Sequence, residues 1–170
     1  MKYFKIVKLD YKYCDYLREY DYRVAYNKGS KELRPYIGVL FNIKNIEYFA
    51  PLSSPKDKHK KMRDTIDLIR INNGEYGVIN FNNMLPVQSN NYDVLYLNSP
   101  KNNIELKRFN LLKKQLRWMN SNRDIIYKNA ITLYTLYKNN QLPSRIRKRC
   151  CDFILLEDKC QEYNNTLISV

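Results

Sequence analysis

Tyr48-Phe49-Ala50-Pro51-Leu52-Ser53-Ser54-Pro55-Lys56, with His59 close behind, is the stretch on which the reading of the chain turns. It is a short apolar strand running out into two hydroxyls, a proline-fixed bend, a lysine and the only histidine in the sequence. Pro51 and Pro55 each lack a backbone donor and fix φ, so the segment between them is expected outside any sheet ladder, as an ordered, exposed corner. Such a corner suits reactive side chains. Taken alone, Ser-Ser-Pro-Lys is more often an ordinary turn, and the rest of the chain has to decide.

Immediately upstream, Pro35 precedes the apolar run Tyr36-Ile37-Gly38-Val39-Leu40-Phe41, which has strand length and reads as buried on both faces. Residues 42–45 make a turn, and Ile46 to Leu52 returns as its partner. Antiparallel pairing sets the open ends of such a hairpin side by side. Arg34, just before the outgoing strand, is therefore expected near Ser53 and Ser54, just after the returning one.

Further out, residues 2–8 read as a strand, and Leu9, Tyr13, Tyr16, Leu17 and Tyr20 recur at helical spacing over residues 10–22. Residues 23–34 lack periodicity and carry Arg23, Lys28, Lys31 and Arg34, which makes them a basic loop. Residues 56–63 hold five Lys or Arg in eight positions, a pattern that by itself is usually a solvated face. Asn72-Asn73-Gly74 between the strand-like runs 65–71 and 76–81 signals a second hairpin, and Tyr92 to Leu97 supplies another short strand.

The character then changes to helix. Phe109, Leu112, Leu116 and Met119 share one face of a helix over 104–119, with Lys107, Arg108, Lys113, Lys114 and Arg117 covering much of the rest. Ser121 and Asp124 resemble a capping box for a second, antiparallel helix marked by Ile126, Ala130, Leu133 and Tyr137. A basic cluster from Arg145 to Arg149 follows, then a last helix spaced by Phe153, Leu156, Cys160 and Tyr163. Residues 164–170 are expected to be loose. The fold class is α+β in one domain over residues 1–170, mainly strands in the first part and helices in the last.

With 44% hydrophobic and 14% aromatic residues among 170, the chain can bury a real core. Thirty Lys and Arg against 17 Asp and Glu give a net charge of +13, a surplus whose self-repulsion a polyanionic partner relieves. No apolar run approaches the about 18 residues of a membrane span, and the lysine-interrupted start is not a signal peptide, so a cytoplasmic location is expected. Cys14, Cys150, Cys151 and Cys160 form no CxxC pair, and only one histidine exists to complete a zinc site. Buried free thiols, no disulfide, no metal and no cofactor are expected.

The sequence contains no GxxxxGK[ST], no strand-to-helix GxGxxG, no HExxH and no GxSxG. What remains is a set of hydroxyls, amines, guanidinium groups and His59. That set fits metal-free cleavage of RNA, because RNA brings its own nucleophile in the ribose 2′-OH. The protein has to hold that hydroxyl in line with the phosphorus, move two protons and stabilise a charged phosphorane. Ser53 and Ser54 are then hydrogen-bonding positioners, Lys56 stabilises charge or moves a proton, and His59, with an ordinary pKa of about 6.5, is an acid or base candidate.

Three blocks carry a family resemblance: Arg34-Pro35-Tyr36-Ile37-Gly38-Val39, then Tyr48 to Lys56 with His59, then Gly77-Val78-Ile79-Asn80-Phe81-Asn82-Asn83-Met84-Leu85-Pro86-Val87. In order and spacing they resemble the ToxN/AbiQ endoribonucleases of type III toxin-antitoxin systems, over about residues 2–163, and the length and basic composition suggest the AbiQ phage-resistance member most closely. The resemblance implies a compact antiparallel barrel-like sheet, similar to the Kid/MazF toxins, with surrounding helices. It implies sequence-preferring, metal-independent RNA cleavage to 2′,3′-cyclic phosphate and 5′-hydroxyl ends. The implied partner is a repeated pseudoknot antitoxin RNA that the toxin itself processes, with oligomers formed only through that RNA and release on phage infection.

Carried over by position, the implied catalytic residues are Ser53, Ser54 and Lys56, with Arg34 and His59 as candidates for catalysis or RNA contact. Lys31, Lys58, Lys60, Lys61, Lys113, Arg117, Arg145 and Arg147 are the candidate RNA-binding cations. Arg34 stands where relatives can have lysine, which keeps the charge and loses amine chemistry. A noncatalytic RNA-binding module using cations and some of the 16 tyrosines is the alternative, and a basic protein that binds an acidic partner is a third reading.

Overall fold

The computed structural model describes residues 3–26, 34–95 and 100–168. In chain order the elements are β1 (Lys5–Leu9), α1 (Tyr11–Tyr20), β2 (Tyr36–Gly38), β3 (Asn42–Ile43), β4 (Ile46–Ser53), α2 (Asp57–Lys61), β5 (Leu68–Arg70), β6 (Val78–Asn80), β7 (Leu85–Val87) and β8 (Tyr92–Val94). The helices α3 (Asn103–Ser121), α4 (Arg123–Lys138), α5 (Ser144–Arg147) and α6 (Phe153–Ile168) complete the α+β fold.

The strands form one antiparallel sheet in the order β5-β6-β4-β2-β1-β8, with β3 and β7 also paired to β4. The path runs open from β5 to β8 among the described residues. β4 is its hub, meeting β2, β3, β6 and β7, and this explains the unbroken run of buried residues from Tyr48 to Leu52. Ile46 and every residue from Tyr48 to Leu52 are buried, as expected of a strand covered on both faces.

Pro51 corrects the expectation that its segment stands outside the ladder. It pairs with Tyr36 inside β4, and Leu52 and Ser53 continue the strand opposite Ile79 and Val78. The Leu52 N–H donates to the Pro35 carbonyl at 2.9 Å, which makes Tyr36 and Pro51 a non-hydrogen-bonded pair needing no proline donor on that side. On the other side Pro51 falls between the residues paired to β7 (47–49) and those paired to β6 (52–53). The missing N–H therefore breaks no ladder bond. The exposed corner begins two residues later than the prolines suggest, at Ser54 rather than Leu52.

Helices cover the sheet where the periodicity places them. The Asp10 side chain caps α1 by accepting from the Lys12 and Tyr13 amides at 2.7 and 3.4 Å, and Tyr13 Oη donates to the Pro86 carbonyl at 2.6 Å. Tyr163 of α6 packs its ring against Tyr13 and Tyr16, while Tyr134 of α4 meets Tyr48 of β4 and Phe153 of α6. The four cysteines are buried and form no disulfide with one another. No helix among the described residues is long and apolar enough to cross a membrane.

Two boundaries differ from the sequence reading. Ser121 closes α3 rather than capping α4, which starts directly after Asn122 and has no side-chain cap. The expected loose tail is helical through Ile168, and buried Asn164 accepts from Asn91 Nδ2 at 2.9 Å, a contact that ties the end of α6 to the sheet. The loop containing Lys31 lies mostly outside the described residues, as does most of the stretch after Val94.

Candidate active site

Pairing of Tyr36 with Pro51 brings the two ends of the first hairpin together, as the sequence predicts. Arg34, Ser53, Ser54 and Lys56 line one cavity of about 380 Å³, and the middle of α3 closes it with Arg108, Leu111, Leu112 and Gln115. Pro35 and Leu52 complete its lining. Every charged side chain on this lining is cationic, so the cavity suits an anion such as a phosphodiester.

The serine end of β4 is held from behind. Asn80 Nδ2 donates to Ser53 Oγ at 2.9 Å and lies 3.3 Å from the Pro51 carbonyl, leaving the Ser53 hydroxyl proton available to donate elsewhere. Gly77, at φ +96°, sits so close that an added Cβ would lie 1.9 Å from the Ser53 carbonyl oxygen. Gly74, at φ +90°, plays the same part for α2, where a Cβ would lie 2.6 Å from the His59 carbonyl carbon. Only glycine supplies both the backbone conformation and the missing bulk. The loop joining β5 to β6 thus backs both ends of the segment 53–59.

α3 is fastened to that same loop. Gln115 Nε2 donates to the Tyr76 carbonyl at 2.7 Å, and the Lys114 ammonium lies 5.6 Å from the Tyr76 ring centroid. Among the described residues, two buried polar atoms of cavity-lining side chains have no hydrogen-bond partner: Arg34 Nε, a donor, and Gln115 Oε1, an acceptor.

His59 is buried, with 4% exposure, and is not among the cavity-lining residues. Its Nδ1 has no partner among the described residues. Burial first, then the charges of Lys58 and Lys56, lower its pKa from 6.5, so it is neutral at pH 7. It sits within α2, behind the exposed lysines of that helix and outside the cavity lining.

The candidate RNA-binding cations separate into groups. Lys58, Lys60 and Lys61 are exposed on α2, continuing the cationic rim from Lys56. Lys113 and Arg117 are exposed on α3, but at 100° per residue they fall roughly opposite the face that carries Arg108, Leu112 and Gln115 into the cavity. Arg145 is exposed on α5. Arg147 is engaged inside the protein: Nη1 donates to the Tyr137 carbonyl at 2.8 Å and the guanidinium stacks 4.1 Å from the Tyr137 ring centroid. Lys31 lies outside the described residues.

Sequence reasoning gave no site role to Asn80, Arg108 or Gln115. Their signal is a polar residue in an apolar pattern. Asn80 interrupts Val78-Ile79-Asn80-Phe81, and Gln115 lies on the same helical stripe as Leu112 and Met119. No group of three or more His, Cys, Asp or Glu side chains among the described residues is placed to hold a metal ion.

Comparison with known proteins matches residues 5–161 to the family described as toxin ToxN of type III toxin-antitoxin systems. Endoribonuclease ToxN of Bacillus thuringiensis subsp. kurstaki is 35% identical over 155 residues, covering 89% of this chain and 79% of its own. A structure that describes selective toxin inhibition by a non-coding RNA pseudoknot superimposes with TM-score 0.79 at 29% identity, over 96% of this chain and 99% of the other. The lactococcal anti-phage endoribonuclease AbiQ shares the fold, with TM-score 0.82 at 24% identity over 96% of this chain and 99% of its own. With the family matched along nearly its whole length, the chain belongs to the ToxN toxin family of type III toxin-antitoxin systems.

Proposed function

We propose that the protein is an endoribonuclease toxin that cleaves RNA at the Ser53–Lys56 cavity by attack of the ribose 2′-OH, without a metal ion, leaving 2′,3′-cyclic phosphate and 5′-hydroxyl ends. The observation that carries this is the meeting of Arg34, Ser53, Ser54 and Lys56 in one cationic cavity. Since the substrate supplies the nucleophile, the protein needs orientation and charge stabilisation more than a strong nucleophile of its own.

In this mechanism the Ser53 and Ser54 hydroxyls donate to the nonbridging phosphate oxygens, and Asn80 fixes the Ser53 oxygen for that task. The Arg34 guanidinium offers its unpartnered Nε–H to the charge that builds on the phosphorane. The Lys56 ammonium, exposed at the rim, stabilises the same charge and can supply the proton taken by the departing 5′ oxygen, while the proton lost by the attacking 2′-OH passes to solvent water. The exposed cations of α2, α3 and α5 bind the phosphates of substrate and of a repeated pseudoknot antitoxin RNA that the toxin processes. Occupation of the cavity by that RNA would hold the toxin inactive in the cytoplasm, with assembly through RNA and release during phage infection.

Ser54→Ala provides the test. In excess EDTA, wild type is expected to yield discrete fragments with 2′,3′-cyclic phosphate ends, and the variant to lose about 10²-fold or more in cleavage rate while RNA affinity stays within about twofold. Equal cleavage by a folded Ser54→Ala protein would remove Ser54 from the mechanism. Binding of RNA without cleavage by wild type would turn the reading to a noncatalytic RNA-binding module.

A further inference from the structure

We infer that Gln115 is a specificity-determining residue, whose Oε1 accepts a hydrogen bond from the amino group of a nucleobase beside the scissile phosphate. The inference rests on the ribonuclease reading and names a recognition role within it. Gln115 lines the same cavity as Ser53 and Ser54, is 1% exposed, and has one satisfied end and one unsatisfied end.

The chemistry of the neighbours fixes which end is which. The Tyr76 carbonyl can only accept, so the atom 2.7 Å from it is Nε2, and the atom left without a partner is the carbonyl oxygen Oε1. Held by that bond, the amide cannot turn to present a donor to the cavity. An acceptor has no use for a phosphodiester, which offers only acceptors itself. The other polar side chains on the lining are cations or hydroxyls able to donate: Arg34, Arg108, Lys56, Ser53 and Ser54. They suit the phosphate and are blind to sequence, whereas Gln115 suits a group that only the nucleoside carries.

Leaving a buried acceptor unpaired is unfavourable, and pairing it on binding rewards RNAs that bring an amino group to that place. A base lacking the amino group leaves Oε1 unpaired inside a filled cavity and is rejected for that reason. Anchoring to Tyr76 ties the reader to the loop that backs Ser53, so the base and the serines are held in one frame.

The test compares cleavage-site preference on a randomised RNA pool for wild type, Gln115→Met and Gln115→Glu. Methionine keeps the volume and removes both polar atoms; glutamate keeps the acceptor and removes the donor to Tyr76. We expect discrimination at one nucleotide position next to the cut to fall by about tenfold or more in Gln115→Met and by less in Gln115→Glu, which keeps an acceptor but loses the anchor to Tyr76, whatever happens to overall rate. Preferences unchanged in both variants would overturn the inference and reduce Gln115 to a strut for Tyr76. If a variant fails to fold, wild type is assayed on RNAs lacking one amino group at a time, with inosine for guanosine, purine riboside for adenosine or 2-pyrimidinone riboside for cytidine. A rate loss at one position next to the cut supports the inference, and rates indifferent to every such removal overturn it. Failure of wild type to cut any RNA defeats the ribonuclease reading itself and is distinct from both outcomes.

Discussion

The serine corner at the end of β4 and the outer face of α3 are both polar, both face solvent, and are built to different tolerances. Ser53 is fixed by Asn80, by pairing with Val78 and by Gly77 pressed against its carbonyl, so its hydroxyl is placed by backbone. Lys113 and Arg117 project from a helix surface on flexible stems, turned away from the cavity. The first arrangement is what transition-state stabilisation needs, where a shift of about 1 Å matters. The second is enough for long-range attraction of phosphates. On the proposed function, the difference separates the charge surplus, which attracts RNA, from the serine corner, which would carry the chemistry.

Three variants sharpen or break that separation. The largest effect is expected from Gly77→Ala, which adds a Cβ in contact with the Ser53 carbonyl and forces a non-glycine residue to φ +96°. We expect a loss of about 3 kcal/mol in unfolding free energy, read by urea titration, together with a fall in kcat. Wild-type stability and activity in that variant would mean that the loop does not position the serines.

A smaller effect is expected from Lys113→Ala with Arg117→Ala. Affinity for single-stranded RNA should weaken several-fold, and the slope of log K against log salt should decrease in magnitude by about 1.4, with kcat at saturating RNA changed by less than about twofold. A kcat loss as large as that of Ser54→Ala would collapse the distinction between the two regions.

The smallest effect concerns His59. Burial and its lysine neighbours lower its folded pKa, so the unfolded chain takes up the proton first as pH falls. The stability contributed by neutral His59 is full above the unfolded value of about 6.5 and is lost as pH drops through it toward the folded value. The Tm of wild type should therefore fall a few degrees more between pH 7.5 and 5.5 than that of His59→Gln. Parallel curves would show that His59 is not held neutral.

The sequence made the corner legible and left its supports hidden, for physical reasons. Adjacent antiparallel strands bring Arg34 to Ser53 by local geometry, and a period of 3.6 identifies Leu112 and Met119 as inward. β7 escaped because Pro86 lies at its centre, yet Pro86 is tolerated opposite Tyr48 just as Pro51 is tolerated opposite Tyr36. Gly77 and Gln115 depend on where α3 crosses the β5–β6 loop, a tertiary event with no local signature beyond one polar residue on an apolar stripe. His59 read as part of a solvated charge run. Its burial follows from packing against the Gly74 loop, which lies fifteen positions further along the chain.

The most direct test of the central claim uses the substrate. A cleavable RNA is compared with the same oligonucleotide bearing a single 2′-deoxy nucleotide at the cut position, in excess EDTA, with affinity measured for both. The account predicts comparable binding and no cleavage at the deoxy position, because the missing hydroxyl is the nucleophile. Cleavage there at the RNA rate would contradict it, and would assign the attacking group to the protein or to water.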